Sequence, residues 1–215
     1  MSFLQQLKQQ ANQLQNQRGT EVRQLEASIK ATEDACQTIR YYLSDLAAQL
    51  NVIEPDARPL SLDGKTRWPA MKLAQFRFDA RKKTLHEREV TDYIGMGWLI
   101  LPRDATQTRG RVSVNFPPDL ERVESRLRAG SIKHERLEQR HPDTGKLQAL
   151  VFEHDLSSRA SAVFKADHDQ ALLHVRLVGV TGLVVQQTQM PASAITTAYL
   201  DDLAKAIVGQ PSSLG

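Results

Sequence analysis

The chain has little of several residue types that particular structures and chemistries require. Cys36 is the only cysteine among 215 residues, which excludes an internal disulfide and a cysteine-based metal site within one chain. Aromatic residues make up only 6%, and no apolar run is long enough to span a bilayer. The N-terminus does not resemble a signal peptide, because Gln and Lys interrupt it and no apolar core follows. These absences predict a cytoplasmic protein without a membrane partner.

Motifs that indicate catalysis or cofactor binding are also missing. The sequence has no Gly-x-Ser-x-Gly elbow, no Gly-Lys-Ser/Thr phosphate loop and no zinc-protease helix. Gly95 and Gly97 lie in an apolar stretch, where glycines mark a bulge or a close backbone approach. Cys36 lies on an apolar helix stripe and is expected to be a small buried side chain. We predict no cofactor and no catalytic residue, although an active site of scattered residues would leave no linear motif.

The first fifty residues carry the most regular pattern in the chain. Apolar residues recur at steps of three and four from Leu4 to Leu14, and again from Val22 to Leu50. Such alternating steps place one narrow apolar seam along a helix, as in a coiled coil or a helical hairpin. We predict a coiled-coil-like helical arm over residues 1–51. Its oligomer or partner seam is predicted to consist of Leu25, Ile29, Ile39, Leu43 and Leu46.

Two features of the arm leave alternatives open. From Leu14 to Val22 is eight steps, one more than a heptad, and Gly19 lies in the gap, where Thr20 could cap a new helix. The arm is therefore either two helices, 3–18 and 20–51, or one long helix with a stutter. It either packs on its own domain or self-associates. We favour association, because so long a seam is hard to bury against one small domain.

The rest of the chain predicts an α+β domain. Prolines and an Asp-Gly turn mark residues 52–66 as a linker, residues 67–209 form the domain, and residues 210–215 form a tail. Short alternating strands joined by tight turns predict a curved antiparallel β-meander through the last third. A C-terminal helix, capped by Ser193 and ending at Val208, is expected to cover the sheet.

Basic residues are densest around one predicted hairpin, with a polar turn at residues 81–84. Trp68, Phe76 and Phe78 lie nearby in the sequence, and basic residues beside aromatics can bind phosphates and stack bases. The structural alternative is that the aromatics face the core and the charges form a solvated turn. The candidate nucleic-acid contacts are Arg77, Arg81, Lys82, Lys83 and Arg88.

Metal-ligating side chains occur at two predicted turns. In a continuous meander, turns 141–145 and 167–169 would share one end of the sheet, about 10 Å apart. Asp and His are also ordinary turn residues, so we predict no metal site and leave a weak one open. The side chains concerned are His141, Asp143, Asp167, His168 and Asp169.

The sequence therefore favours a non-enzymatic, cytoplasmic interaction or assembly protein. Its arm is expected either to form a homo-oligomer or to dock another protein. The alternative is a nucleic-acid-associated protein that uses the basic hairpin around residues 77–88.

Overall fold

A computed structural model describes residues 3–214. Residues 1, 2 and 215, which end the predicted arm and tail, lie outside the described residues. The fold class predicted from the sequence is confirmed: a long N-terminal helix precedes antiparallel β-structure and a C-terminal helix. The helices are α1 (Phe3–Ile53), α2 (Pro117–Ala129) and α3 (Thr197–Ile207). The strands are β1 (Met71–Leu85), β2 (Arg88–Pro102), β3 (Arg109–Val114), β4 (His134–Arg140), β5 (Leu147–Asp155), β6 (Ser158–Asp167), β7 (Leu172–Val178) and β8 (Val185–Pro191).

The described strands form two open antiparallel sheets. The larger has the order β1-β2-β6-β7-β8, and the smaller has the order β3-β5-β4. The expected meander is therefore divided between sheets, because β5 and β6 do not pair despite the short connection between them. Residues at this connection form hydrogen bonds to other segments: the N–H of Leu156 donates to the carbonyl of Thr108, and the N–H of Arg159 donates to the carbonyl of Gly130. Strands β6, β7 and β8 keep the meander order within the larger sheet.

The β1–β2 hairpin turns later than the sequence indicated. The predicted polar turn at residues 81–84 lies inside β1, and the chain reverses at His86 and Glu87, with φ of 48° and 62°. Positive φ at both central residues is typical of a type I′ two-residue turn. Charged residues occupy both faces of this hairpin end, so the apolar alternation that would have revealed the strand is lost.

Helix α1 is continuous through Gly19, which selects the single-helix alternative. Its first part, residues 3–24, is exposed apart from partly buried Gly19, and one face becomes buried from Ile29 onward. Leu4 and Val22 are eighteen residues apart in the chain, or about five turns at 3.6 residues per turn. The eight-residue step from Leu14 to Val22 therefore places the two apolar stripes on the same side of a straight helix. A strict heptad repeat would instead drift around such a helix by about 20° per repeat.

One hydrophobic core joins α1, both sheets and the other helices. The inner face of the larger sheet contributes alternate residues of β2 and β6, including Met96, Trp98 and Phe164. Helix α3 buries Leu200 and Leu203 in the same core. The C-terminal part of α1 is thus a structural layer on the sheet.

Helix α3 begins later than predicted. Ser193 lies in a short 3₁₀ turn, Ala192–Ala194, and does not cap the helix. Thr196 has the extended backbone of an N-cap residue, and its hydroxyl accepts a hydrogen bond from the N–H of Tyr199 at 3.2 Å. This 3₁₀ turn contains Ser193, which was predicted to be the cap, and Ala194, which would then have been the first helical residue.

Asn51, in the last turn of α1, binds a bulge in β1. The β1–β2 register shifts between Ala74 and Arg77, and Gln75 has a φ of 56°. At this bulge the Asn51 amide donates to the carbonyl of Phe76, and its oxygen accepts the Phe76 N–H, both at 2.8 Å. One side chain therefore satisfies the main chain that the irregular ladder leaves unpaired.

Glu33 makes the equivalent contact at a second register shift, between Arg81 and Lys82. Its carboxylate accepts the Thr91 N–H at 2.8 Å and the Thr91 hydroxyl at 3.1 Å. Buried His168 places Nε2 2.7 Å from the same carboxylate. Burial alone would raise the pKa of Glu33, but the hydrogen bonds from His168 and Thr91 outweigh it and lower the pKa. Helix α1 is thus fastened to the sheet at both irregularities.

The segment between α1 and β1 is packed on the core and contains a closed turn. Leu60, Leu62 and Trp68 are buried. Burial would raise the pKa of Asp63, but the N–H groups of Thr66 and Lys65 and the hydroxyls of Thr66 and Ser61 lower it to about 2. The ionised carboxylate is therefore the acceptor that holds this turn together.

We predict that Asn51→Ala lowers the free energy of unfolding by about 1–3 kcal/mol, because it leaves Phe76 N–H and C=O without their partner. Urea unfolding followed by circular dichroism measures this change. The control is Asn12→Ala on the exposed part of the same helix, which should change stability by less than about 0.5 kcal/mol. Equal effects of the two substitutions would contradict the assigned role of Asn51.

We predict that the stability difference between the wild type and Asp63→Asn depends on pH. The pKa of about 2 in the folded chain is below the value of about 3.9 in an unfolded chain. The ionised carboxylate therefore contributes stability above about pH 4, and this contribution is lost as the pH falls toward 2. Urea unfolding of both proteins across this range should show the difference shrinking with acidification; a difference that stays constant would refute the prediction.

Candidate functional site

The five predicted seam residues lie where α1 meets its own domain. Ile39 and Leu43 are fully buried, and Ile29 is nearly so. Leu25 and Leu46 are half-buried, and Leu46 packs against the core. The C-terminal part of the seam is therefore occupied within the chain.

The exposed part of α1 carries the free portion of the apolar stripe. We call residues 3–24 the projecting arm, which at 1.5 Å per residue is about 33 Å long. Leu4, Leu14 and Val22 are 62%, 55% and 56% exposed, and Leu7 is also exposed. These side chains continue the face that packs on the sheet, but they extend past it.

The basic hairpin keeps most of its charges in ion pairs. Pairs with carboxylates join Arg81 to Asp79, Lys82 to Glu89, Lys83 to Asp92 and Arg88 to Glu26. Each such partner competes with a phosphate for the cation. Arg77 differs, because it forms no ion pair within residues 3–214.

The aromatic residues near the hairpin belong to the core. Phe76 stacks on Trp98 with ring centroids 5.6 Å apart, and Trp68 stacks on His154 at 5.4 Å. Phe78 is half-buried against the core. The predicted association of these aromatics with the basic side chains is therefore absent; within the described residues, the Arg81 guanidinium instead lies 5.5 Å from the Tyr93 ring centroid.

The candidate metal ligands separate into pairs. His168 contacts Glu33, Asp169 lies 3.2 Å from His86, and Asp167 lies 3.8 Å from His174. His141 and Asp143 approach each other to 4.0 Å at the end of the smaller sheet. The two turns belong to different sheets, so they do not converge. Residues 3–214 contain no group of three or more His, Cys, Asp or Glu side chains placed to hold a metal ion.

The buried reactive side chains have structural surroundings. Burial, with the nearby Glu33 charge, raises the pKa of the Cys36 thiol to about 12, so the thiolate that a nucleophile requires is not formed near neutral pH. Burial lowers the pKa of His154, whose ring is held against Trp68. Both groups serve as neutral core side chains.

The outer face of the larger sheet forms an open groove that was not predicted from the sequence. Its volume is about 1130 Å³. The exposed side chains of four arginines line it: Arg77 of β1, Arg128 of α2, Arg159 of β6 and Arg176 of β7. No carboxylate belongs to the lining, and none of these guanidinium groups has an ion-pair partner in the described part of the chain. We call this site the arginine groove.

The register of the paired strands brings the residues of the groove together. Arg77 is opposite Gly97, Gly97 is opposite Ser161, and Ser161 is opposite Val178. This row crosses four strands and has a low centre, because Gly97 has no side chain. The sequence signal was weak: in β6, outward residues such as Arg159 and Lys165 alternate with buried alanines, but nothing linear connects them to Arg77.

Comparisons of the chain with family models, with curated proteins and with solved structures find no match. Among residues 3–214, no helix has the length and hydropathy that a membrane crossing requires. Function is therefore inferred from the surfaces of the chain itself.

Proposed function

We propose that the protein is an assembly protein that self-associates through its projecting arm. The observation that supports this is the exposed apolar stripe on residues 3–24, which continues the buried face of α1 beyond the domain. Contiguous exposed apolar surface is uncommon on soluble monomers and is typical of interaction sites. The proposal places the contact earlier on the helix than Ile39 and Leu43, which are already buried.

The arm also requires packing to stabilise its helix. Isolated helices in water are marginal, and most helical stability in proteins comes from tertiary contacts of an apolar face. Apart from Gly19, residues 3–24 are exposed on the described chain, so their own fold supplies little of this packing. A partner surface would provide it.

A second copy of the chain is the partner that the arm's chemistry favours. Between Phe3 and Gln17 the arm carries one charged residue, Lys8, with glutamines around the stripe. Two identical arms can therefore approach without strong charge repulsion, and glutamine side chains can bond to each other. Heptad-spaced Leu4, Leu7, Ala11 and Leu14 suit knobs-into-holes packing between helices.

We predict that replacing Leu4, Leu7 and Leu14 together by Lys dissociates the assembly. Burying each leucine contributes about 1.5–3 kcal/mol, so losing three weakens association by at least about a thousandfold. Light scattering at several protein concentrations measures the mass of the full chain. The wild type should be a dimer or larger, and the variant should be a monomer.

The matched control adds the same charge to the opposite side of the arm, at Gln6, Gln9 and Gln13. This control should keep the mass of the wild type, because only the apolar stripe is disrupted in the test variant. A wild type that stays monomeric at high micromolar concentration would overturn the proposal. So would dissociation of the control to the same extent as the test variant.

A further inference from the structure

We propose that the arginine groove binds single-stranded nucleic acid, with the arginines contacting its phosphates. This surface is separate from the projecting arm and does not depend on self-association. It also differs from the basic hairpin, with which it shares Arg77.

The charge of the groove is uncompensated. Arg77, Arg128, Arg159 and Arg176 line it without a carboxylate among the lining residues. A guanidinium offers a rigid set of donors that matches phosphate oxygens, and it remains charged at physiological pH. Four such groups around one concave surface attract a polyanion, whereas Lys82 and Arg88 already have carboxylate partners.

The groove continues along the strands, which favours an extended ligand. A second groove of about 930 Å³ shares Arg176 with the first, and its lining includes both cations, Lys83 and Lys165, and carboxylates, Asp167 and Asp169. Lys83 is already paired with Asp92, so among the described residues the free cations of the continuous surface are mainly the four arginines and Lys165. From Arg159 to Asp167 the β6 strand spans about 26 Å at 3.3 Å per residue. This surface is open and larger than the usual closed site for a small molecule. A track of this length suits a few consecutive nucleotides, near the lower end of sites used by single-strand binders.

The groove floor offers a surface for bases between the cations. Gly97 leaves its centre low, and a Cβ placed there would meet its nearest atom only at 3.8 Å. Leu99, Val184 and Val185 supply apolar surface around it. No aromatic side chain is exposed in this lining, as Trp98 is buried in the core. We therefore expect binding with little sequence preference, because the arginines are assigned to phosphates, which carry no sequence information.

The same features argue against an acidic peptide and a duplex. A peptide that recognises a sheet adds to an unpaired edge, whereas the groove lies on the face of paired strands. In a duplex the bases are stacked inside, so the apolar surface at Leu99 and Val185 would have no base to contact. A single strand offers phosphates and bases together.

We expect a fluorescein-labelled oligothymidine of about twelve nucleotides to bind the full chain at low salt, as measured by fluorescence anisotropy. Affinity should fall linearly with salt on a logarithmic plot. The test variant is Arg77→Gln with Arg176→Gln, both exposed side chains. It should reduce the magnitude of the salt slope by about 0.7 for each phosphate contact removed.

Two further variants separate the groove from general charge. Lys82→Gln with Arg88→Gln removes the same charge from the hairpin and should leave affinity and slope close to wild type. Gly97→Val fills the floor without changing charge, and should weaken binding while keeping the salt slope. Circular dichroism of each variant verifies that the fold is retained.

Several results would overturn the proposal. One is the absence of oligothymidine binding by the wild type at low salt. Equal losses in the groove and hairpin variants would indicate charge alone. Tighter binding of a duplex of the same length would overturn the single-strand assignment. Competition by polyglutamate as effective as that by unlabelled oligothymidine would show a general polyanion site.

Discussion

The attachment of α1 to two irregularities in the β1–β2 ladder is the constraint on which the rest of the structure depends. Asn51 satisfies the main chain of Phe76 at one register shift, and Glu33 binds Thr91 and His168 near the other. A bulge leaves backbone groups without a ladder partner, and such groups are costly when removed from water. The helix supplies the missing partners and buries Ile39 and Leu43 between the two contacts. Its position on the sheet is therefore set by polar bonds as well as by apolar packing.

This attachment divides α1 into parts with different roles. From Ile29 onward the apolar stripe is buried in the core. Before Ile29 the same stripe extends past the sheet. The helix is continuous across Gly19, so the exposed apolar side chains of the projecting arm lie on the same helix face that packs on the sheet farther toward the C-terminus of α1. A helix of this kind can stabilise a domain with one end and carry an association surface on the other.

The inner face of the larger sheet is covered, and its other face carries cations that are unpaired within residues 3–214. Core residues and α1 occupy one side, so the alternate residues of β1, β6 and β7 must face outward. Their cations gather because antiparallel pairing places Arg77, Arg159 and Arg176 on one surface, and the C-terminal turn of α2 adds Arg128. Uncompensated charge at this surface contrasts with the hairpin, where each cation apart from Arg77 lies beside a carboxylate. Local density of basic residues in sequence was therefore a poor guide to where free cations are found.

Regular local patterns determined much of the fold from the sequence alone. Three-and-four spacing identified α1, alternation and turn residues located most strands, and the apolar stripe of Leu200 and Leu203 identified the C-terminal helix. These features depend on the period of a helix or a strand, which each segment carries within itself. Charged residues at the hairpin end hid the full length of β1, since solvent on both faces removes the alternation.

Tertiary structure alone decided which surfaces remain free. The seam residues Ile39 and Leu43 look the same in sequence as Leu7 and Leu14, but only the first two meet the sheet. The short connection after β5 resembles a hairpin turn in sequence, but there the chain passes from the smaller sheet to the larger one. His141 and His168 therefore lie on different sheets. Arg77, Arg128, Arg159 and Arg176 are distant in sequence and come together through strand pairing. Burial and convergence are relations between segments, so no local pattern could specify them.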